Sequence, residues 1–286
     1  MYVLKFNETL NEAKKVTKLG FINIVICYIL YSLVVGLMPF LLLGSDDNMS
    51  FILLANIIGA FICVVYIVIV GKRTFVSLGM DINKIGSYIT GCIFSALALF
   101  IIWLFNILSG AVKTSFNSEL NVYVLLFLMV GFIFQGFMEE FLLRGLLFVQ
   151  LALKTGVVIG LILNSLIFAL MHLGNAGASL ISTVNTFLIG LAFSMMYYYH
   201  DNIWVVSGFH SGWNFILGPV LGIPVSGFML PSTILKTSLS SELTLLNGGS
   251  YGFEAGLPVT FIAVCIIAAY TVLIYKQNKS FKNNQL

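Results

Sequence analysis

The sequence predicts an all-α fold: a polytopic membrane bundle of about eight transmembrane helices with its functional site inside the bundle. Three observations predict it. Of 286 residues, 59% are hydrophobic and only 9% are charged, whereas a soluble domain is about one quarter charged. The mean hydropathy is +1.04. The apolar residues are gathered into runs near the roughly 20 residues that a bilayer crossing requires. Such a chain cannot cover itself with polar surface, so most of its solvent must be lipid. The formal charge of +3 is small, and no nucleic-acid partner is expected.

Taken in order, residues 1–18 include NETLNEAKKVTK, expected as a cytoplasmic amphipathic anchor beside the first span. Residues 19–275 form the membrane-embedded domain, with apolar runs at about 19–43, 51–70, 86–110, 120–140, 157–173, 178–199, 203–221 and 256–275. The fourth stays apolar as far as residue 153. The stretch 71–85 is a short polar loop. Residues 222–255, with Pro224 and Pro231, form the only long connection and are expected to be a plain extracytoplasmic link. Residues 276–286 are a cytoplasmic tail. No internal repeat and no secretory signal peptide is visible.

Lysine and arginine set the orientation. Lys5, Lys14, Lys15 and Lys18 precede the first run, Lys72, Arg73 and Lys84 follow the second, Lys154 follows the fourth, and Lys276, Lys279 and Lys282 follow the last. The alternate loops hold Lys113 and Lys236. Both termini are therefore expected in the cytoplasm. Abundant Ile, Lys and Asn suggest a low-GC bacterium and its cytoplasmic membrane. Cys27, Cys63, Cys92 and Cys265 all sit in apolar runs without a CxxC pair, and are expected to be reduced, buried, small side chains.

Ionisable residues inside apolar runs are the functional candidates, because each costs at least ~2.5–3.5 kcal/mol on insertion scales. They are Glu139, Glu140 and Arg144 in GFMEEFLLRG, His172 in FALMH, and His210 in HSGWN. Glu140 and Arg144 are four apart with the glutamate first, the favourable order for a helical ion pair. Glu139 points about 100° away and is left to face a cavity. A purely structural ion-pair cluster explains Glu140 and Arg144 but leaves Glu139 without a partner. His210 and Asn214 share one helical face, and Gly208 and Gly212 around them permit close approach of another helix. Glu139 lies 16 residues before Thr155 and His172 lies 17 after it. A helical hairpin turning there brings both to the same height, ~25 Å from the turn. His200 is expected to be interfacial.

At these residues the chain resembles the CPBP family, which includes the type II CAAX prenyl proteases and the bacteriocin-processing and self-immunity proteins once called Abi. EEFLLR matches EExxxR, FALMH matches FxxxH and HSGWN matches HxxxN, in that order, with a motif core at 131–220. The resemblance implies an intramembrane endopeptidase. In that reading Glu139 and His172 activate a water, His210 and Asn214 donate to the oxyanion, and Glu140 and Arg144 brace the site. A metal-free water and a single Zn2+ held by Glu139, His172 and His210 are both open. HExxH is absent, and Asn214 is a poor zinc ligand. The expected partner is a peptide or membrane-anchored protein substrate, such as a leader, pheromone or bacteriocin peptide. Two other classes compete: a non-catalytic membrane immunity or binding protein, and a proton-coupled transporter. The second lacks an inverted repeat.

Overall fold

The structure is a computed structural model describing residues 4–16, 20–42 and 48–283. The expected run edges at 19 and 43, and Lys18, lie outside them. The described helices are α1 (Glu8–Lys14), α2 (Phe21–Leu42), α3 (Asn48–Ile69), α4 (Ser87–Leu108), α5 (Val122–Thr155), α6 (Val157–Met171), α7 (Leu180–His200), α8 (Trp204–Phe215, continued by Ile216–Val220), α9 (Thr244–Asn247) and α10 (Leu257–Asn283). Each of the eight apolar runs coincides with one of α2–α8 or α10. Four of these helices are long and apolar enough to cross a membrane: Ser87–Leu108, Val122–Thr155, Leu180–His200 and the Leu257–Lys279 part of α10. The protein is thus an integral membrane protein, but only four of the eight expected spans meet that length among the described residues. The apolar stretches Phe21–Leu37, Ala55–Ile69 and Val157–Met171 are shorter. Side chains of the apolar helices face outward in large numbers, among them Phe61, Phe100, Leu108 and Phe261. This is what a lipid solvent requires.

The all-α expectation omits one element. Strand β1 (Val112–Phe116) pairs antiparallel with β2 (Leu235–Leu239), with Thr114 opposite Thr237. Both strands lie in connections, where periodicity is too short to announce a strand. This ribbon ties the long 222–255 connection back to the α4–α5 loop. Nor is that connection a plain link: Ile223, Val225, Tyr251 and Phe253 are buried in it.

Local chemistry starts and stops the helices. The Asn121 side chain accepts from the backbone N–H of Tyr123 and Val124 at the head of α5. Ser179 and Ser182 form a capping box at the head of α7. The Asn202 carboxamide oxygen accepts from the N–H of Trp204 and Val205, starting α8. α8 then packs on α4 at minimal distance. A Cβ on Gly208 would lie 1.9 Å from the Tyr88 carbonyl oxygen, so only glycine fits there. The core is continuous through α5–α8, with Met138, Phe141, Phe148, Phe193, Phe209 and Trp213 all buried.

Helix α1 is docked on the bundle and is more than a membrane-surface anchor. Leu10 and Ala13 are buried, and the Asp201 carboxylate accepts from the N–H of Glu8 and Thr9 at 2.9 and 3.1 Å. Among the cysteines, Cys27 and Cys63 are buried as expected. Their thiols face one another across α2 and α3, with Cys63 Sγ donating to the Cys27 carbonyl at 3.3 Å. Cys92 is half-buried and Cys265 is exposed on α10, contrary to expectation. A helix face turned to lipid can carry a thiol without burying it in protein.

Candidate active site

Two helices lose α-geometry at the polar motifs. Directly after Glu140, residues Phe141–Phe148 of α5 adopt π-helical geometry; two residues beyond Asn214, Ile216–Val220 do the same around Pro219. π segments concentrate at functional sites. Here they rotate the following turn relative to the glutamates and to Asn214. α5 itself runs on as a helix through the motif for 34 residues, so the fourth run continues past residue 140 to Thr155.

Between α2, α5, α6, α7 and α8 lies a cavity of about 380 Å³, and Glu139, His172, His210 and Asn214 all line it. Glu139 and Glu140 diverge as helical geometry requires. The Glu139 side chain keeps 23% of its exposure, while Glu140 and Arg144 keep none. Arg144 Nη1 donates to Glu140 Oε1 at 2.9 Å, the ion pair expected from the spacing. Arg144 Nη2 donates to the Gly190 carbonyl at 3.0 Å, reaching α7. The guanidinium lies over the rings of Phe168 and Phe193, 4.8 and 5.3 Å from their centroids. A desolvated cation gains from such faces. The aromatic residue of FALMH thus has two contacts at the site. Phe168 covers Arg144, and its ring meets His172 edge-on at 4.6 Å.

The histidines are held by their Nδ1 atoms. His210 Nδ1 donates to Glu140 Oε1 at 2.8 Å, which leaves Nε2 facing Glu139 Oε2 at 3.9 Å. His172 Nδ1 donates to the Phe168 carbonyl at 2.9 Å. A carbonyl and a carboxylate can only accept, so each neutral ring carries its proton on Nδ1 and presents a bare Nε2. His172 in this state accepts a proton. His210 donates from Nε2 only as an imidazolium, for which Glu140 is a ready counter-ion. Asn214 Nδ2 donates to Gln135 Oε1 at 2.9 Å, and Gln135 Nε2 donates to Glu139. An amide nitrogen has two protons, so Asn214 keeps one for a ligand. His200 bonds the Tyr270 hydroxyl at 2.9 Å and does not line the cavity.

Sequence reasoning missed Gln135, Phe193 and Glu254. Gln135 was discoverable: it is a polar residue in an apolar run, one turn before Glu139. Phe193 and Glu254 carry no such signal. Glu254 lies in the long connection, 8% exposed and against the cavity. Burial pushes its carboxyl up; the Ser226 N–H and hydroxyl and the Trp213 indole N–H oppose that shift.

A metal would need converging ligands. Among the described residues, no group of three or more His, Cys, Asp or Glu side chains is placed to hold a metal ion. Glu139, His172 and His210 share a cavity without forming such a group. What the cavity wall does offer is a carboxylate, a basic imidazole nitrogen and hydrogen-bond donors.

Residues 121–216 match the family model described as Rce1-like, type II CAAX prenyl endopeptidase. That stretch carries all three motifs and agrees with membership of the CPBP family. No curated protein matches the chain.

Proposed function

We propose that this protein is an intramembrane endopeptidase that hydrolyses a peptide bond in a membrane-associated substrate. The observation that carries the reading is the convergence of Glu139, His172, His210 and Asn214, from separate segments, on one cavity inside a lipid-facing bundle. Glu139 takes one proton from water, and the bare Nε2 of His172 accepts a hydrogen bond from the O–H that remains, as the oxygen adds to the substrate carbonyl. The resulting oxyanion receives hydrogen bonds from Asn214 Nδ2 and from His210 in its imidazolium form. Each such donor is commonly worth ~3–4 kcal/mol. The C–N bond then breaks, and the departing amine takes the proton held by the base. Glu140 and Arg144 fix His210 and touch no substrate.

The substrate class follows the environment. An apolar cavity within helices suits a peptide or small membrane-anchored protein, such as a leader, pheromone or bacteriocin peptide, in a bacterial cytoplasmic membrane with both termini inside. The test is Glu139→Ala at matched protein level, with secreted and membrane peptides compared by mass spectrometry. Loss of defined peptides, or accumulation of their precursors, is expected. Unchanged peptides alongside an intact phenotype such as toxin immunity would leave a non-catalytic binding protein as the better reading.

A further inference from the structure

Glu254 is a buried carboxylate that this chemistry leaves unused. It sits in the short turn Phe253–Ala255 just before α10. Its two oxygens receive three hydrogen bonds: Oε1 from Trp213 Nε1 at 3.1 Å, and Oε2 from the Ser226 N–H at 2.5 Å and the Ser226 hydroxyl at 2.9 Å. Trp213 immediately precedes Asn214 on α8. Ser226 stands in the tight turn Val225–Phe228, closed by reciprocal backbone bonds of 3.0 and 2.9 Å. Ser226 and Gly227 both have positive φ, 47° and 89°, the signature of a mirror-image turn. A serine rarely adopts that conformation unless held there.

The same turn is pinned from its other side. Asn175 Nδ2 donates to the Ser226 carbonyl at 3.1 Å, and the Gly227 N–H donates to the Tyr251 carbonyl at 3.1 Å. Asn175 follows His172 by three residues. Val225, Ser226, Phe228 and Glu254 all line the cavity. One carboxylate therefore joins the helix that carries Asn214 to the turn opposite it, and through Asn175 to the segment that carries His172. A buried carboxylate is costly unless fully hydrogen-bonded, and three donors supply that requirement with charge-assisted bonds.

We propose that Glu254 is a positioning residue of the reaction: its hydrogen bonds to Trp213 and Ser226 set the distance between the Asn214 donor and the wall of the cavity against which the substrate lies. The proposal rests on the endopeptidase reading, and the test separates the two. In a Trp103→Phe/Trp204→Phe background Trp213 is the lone indole. Its emission and its quenching by acrylamide report the clamp without any substrate. Glu254→Ala is expected to shift both, and Glu254→Gln to shift them less. The precursor that accumulates in Glu139→Ala cells is then made as a synthetic peptide and assayed in proteoliposomes. Glu254→Gln is expected to lower kcat ~10-fold and Glu254→Ala ~100-fold with KM little changed, as small misplacements do. Trp213→Phe, which removes only the N–H, is expected to match Glu254→Gln and to add little to it. The isosteric variants keep the test valid should Glu254→Ala fail to fold. Unmoved Trp213 emission, or unmoved kcat beside a dead Glu139→Ala, overturns the proposal. If Glu139→Ala itself leaves every peptide unchanged, the endopeptidase reading falls and the positioning role with it, while an emission shift would still report the clamp.

Discussion

Two buried carboxylates grip the same helix from different parts of the chain. Glu140, from α5, takes the Nδ1–H of His210; Glu254, from the long connection, takes the Nε1–H of Trp213 three residues further along α8. Their supports differ. Glu140 is paired with the cation of Arg144, whose guanidinium is itself covered by two aromatic rings. Among the described residues Glu254 forms no ion pair, and its hydrogen bonds come from an indole, a hydroxyl and a backbone N–H. The first clamp is an ion pair whose halves depend on each other. The second is a lone charge held by neutral donors, so removing its charge strands no other charge.

Glu139 is the reference for both clamps, being adjacent to Glu140 but outside either of them. Glu139→Gln is expected to reduce peptide cleavage ~10²–10⁴-fold, the range for loss of a general base. The thermal midpoint of the detergent-solubilised protein should not move. A large fall in the midpoint would place Glu139 among the structural carboxylates.

Next in size is the ion pair. Arg144→Met leaves Glu140 buried without its cation and is expected to destabilise by about 3–5 kcal/mol, read as a lower thermal midpoint and reduced accumulation in the membrane. The double variant Glu140→Gln/Arg144→Met strands no charge and should recover much of that loss while cleavage stays impaired, because His210 loses its counter-ion. Equal destabilisation by the single and double variants would refute the interdependence of the pair.

The second clamp should respond more mildly. Trp213→Phe leaves a ring stacked on Phe209 and takes one donor from a buried carboxylate, an expected cost of about 1.5–3 kcal/mol in thermal stability. A loss as large as that of Arg144→Met would mean that the two clamps are equivalent and the distinction false. Smallest of all, Lys236→Ala removes the exposed contact to Glu119 at the edge of the β1–β2 ribbon. It should alter neither cleavage nor the thermal midpoint, since such surface pairs contribute little.

The asymmetry between the clamps also marks how much of the site was legible beforehand. Glu140 and Arg144 announce themselves because a charge in an apolar run needs a partner, and a helix offers one at four residues' distance. His172, His210 and Asn214 stand out for the same reason. Gln135, one turn from Glu139, was readable by that rule too. Phe168 was visible as a motif position, but its contact with Arg144 was not, because an aromatic residue in an apolar helix gives no sign of what it covers. Glu254 was hidden because its partners are 28 and 41 residues away, in a connection with no periodicity. The β1–β2 ribbon, 123 residues apart at its Thr114–Thr237 contact, was hidden likewise.

Composition and short-range spacing were enough to read the solvent, the helical segments, the Glu140–Arg144 pair and the short list of polar residues that could do chemistry. These depend on composition and on spacings within one helical turn, where geometry is fixed by the backbone. Tertiary structure alone decided that His210 turns its Nδ1 to Glu140, that Phe168 and Phe193 cover Arg144, and that the 222–255 connection folds back to wall the cavity with Glu254. Those contacts join segments distant along the chain, and no local rule of hydrogen bonding or helix periodicity says which distant partner a buried side chain will meet.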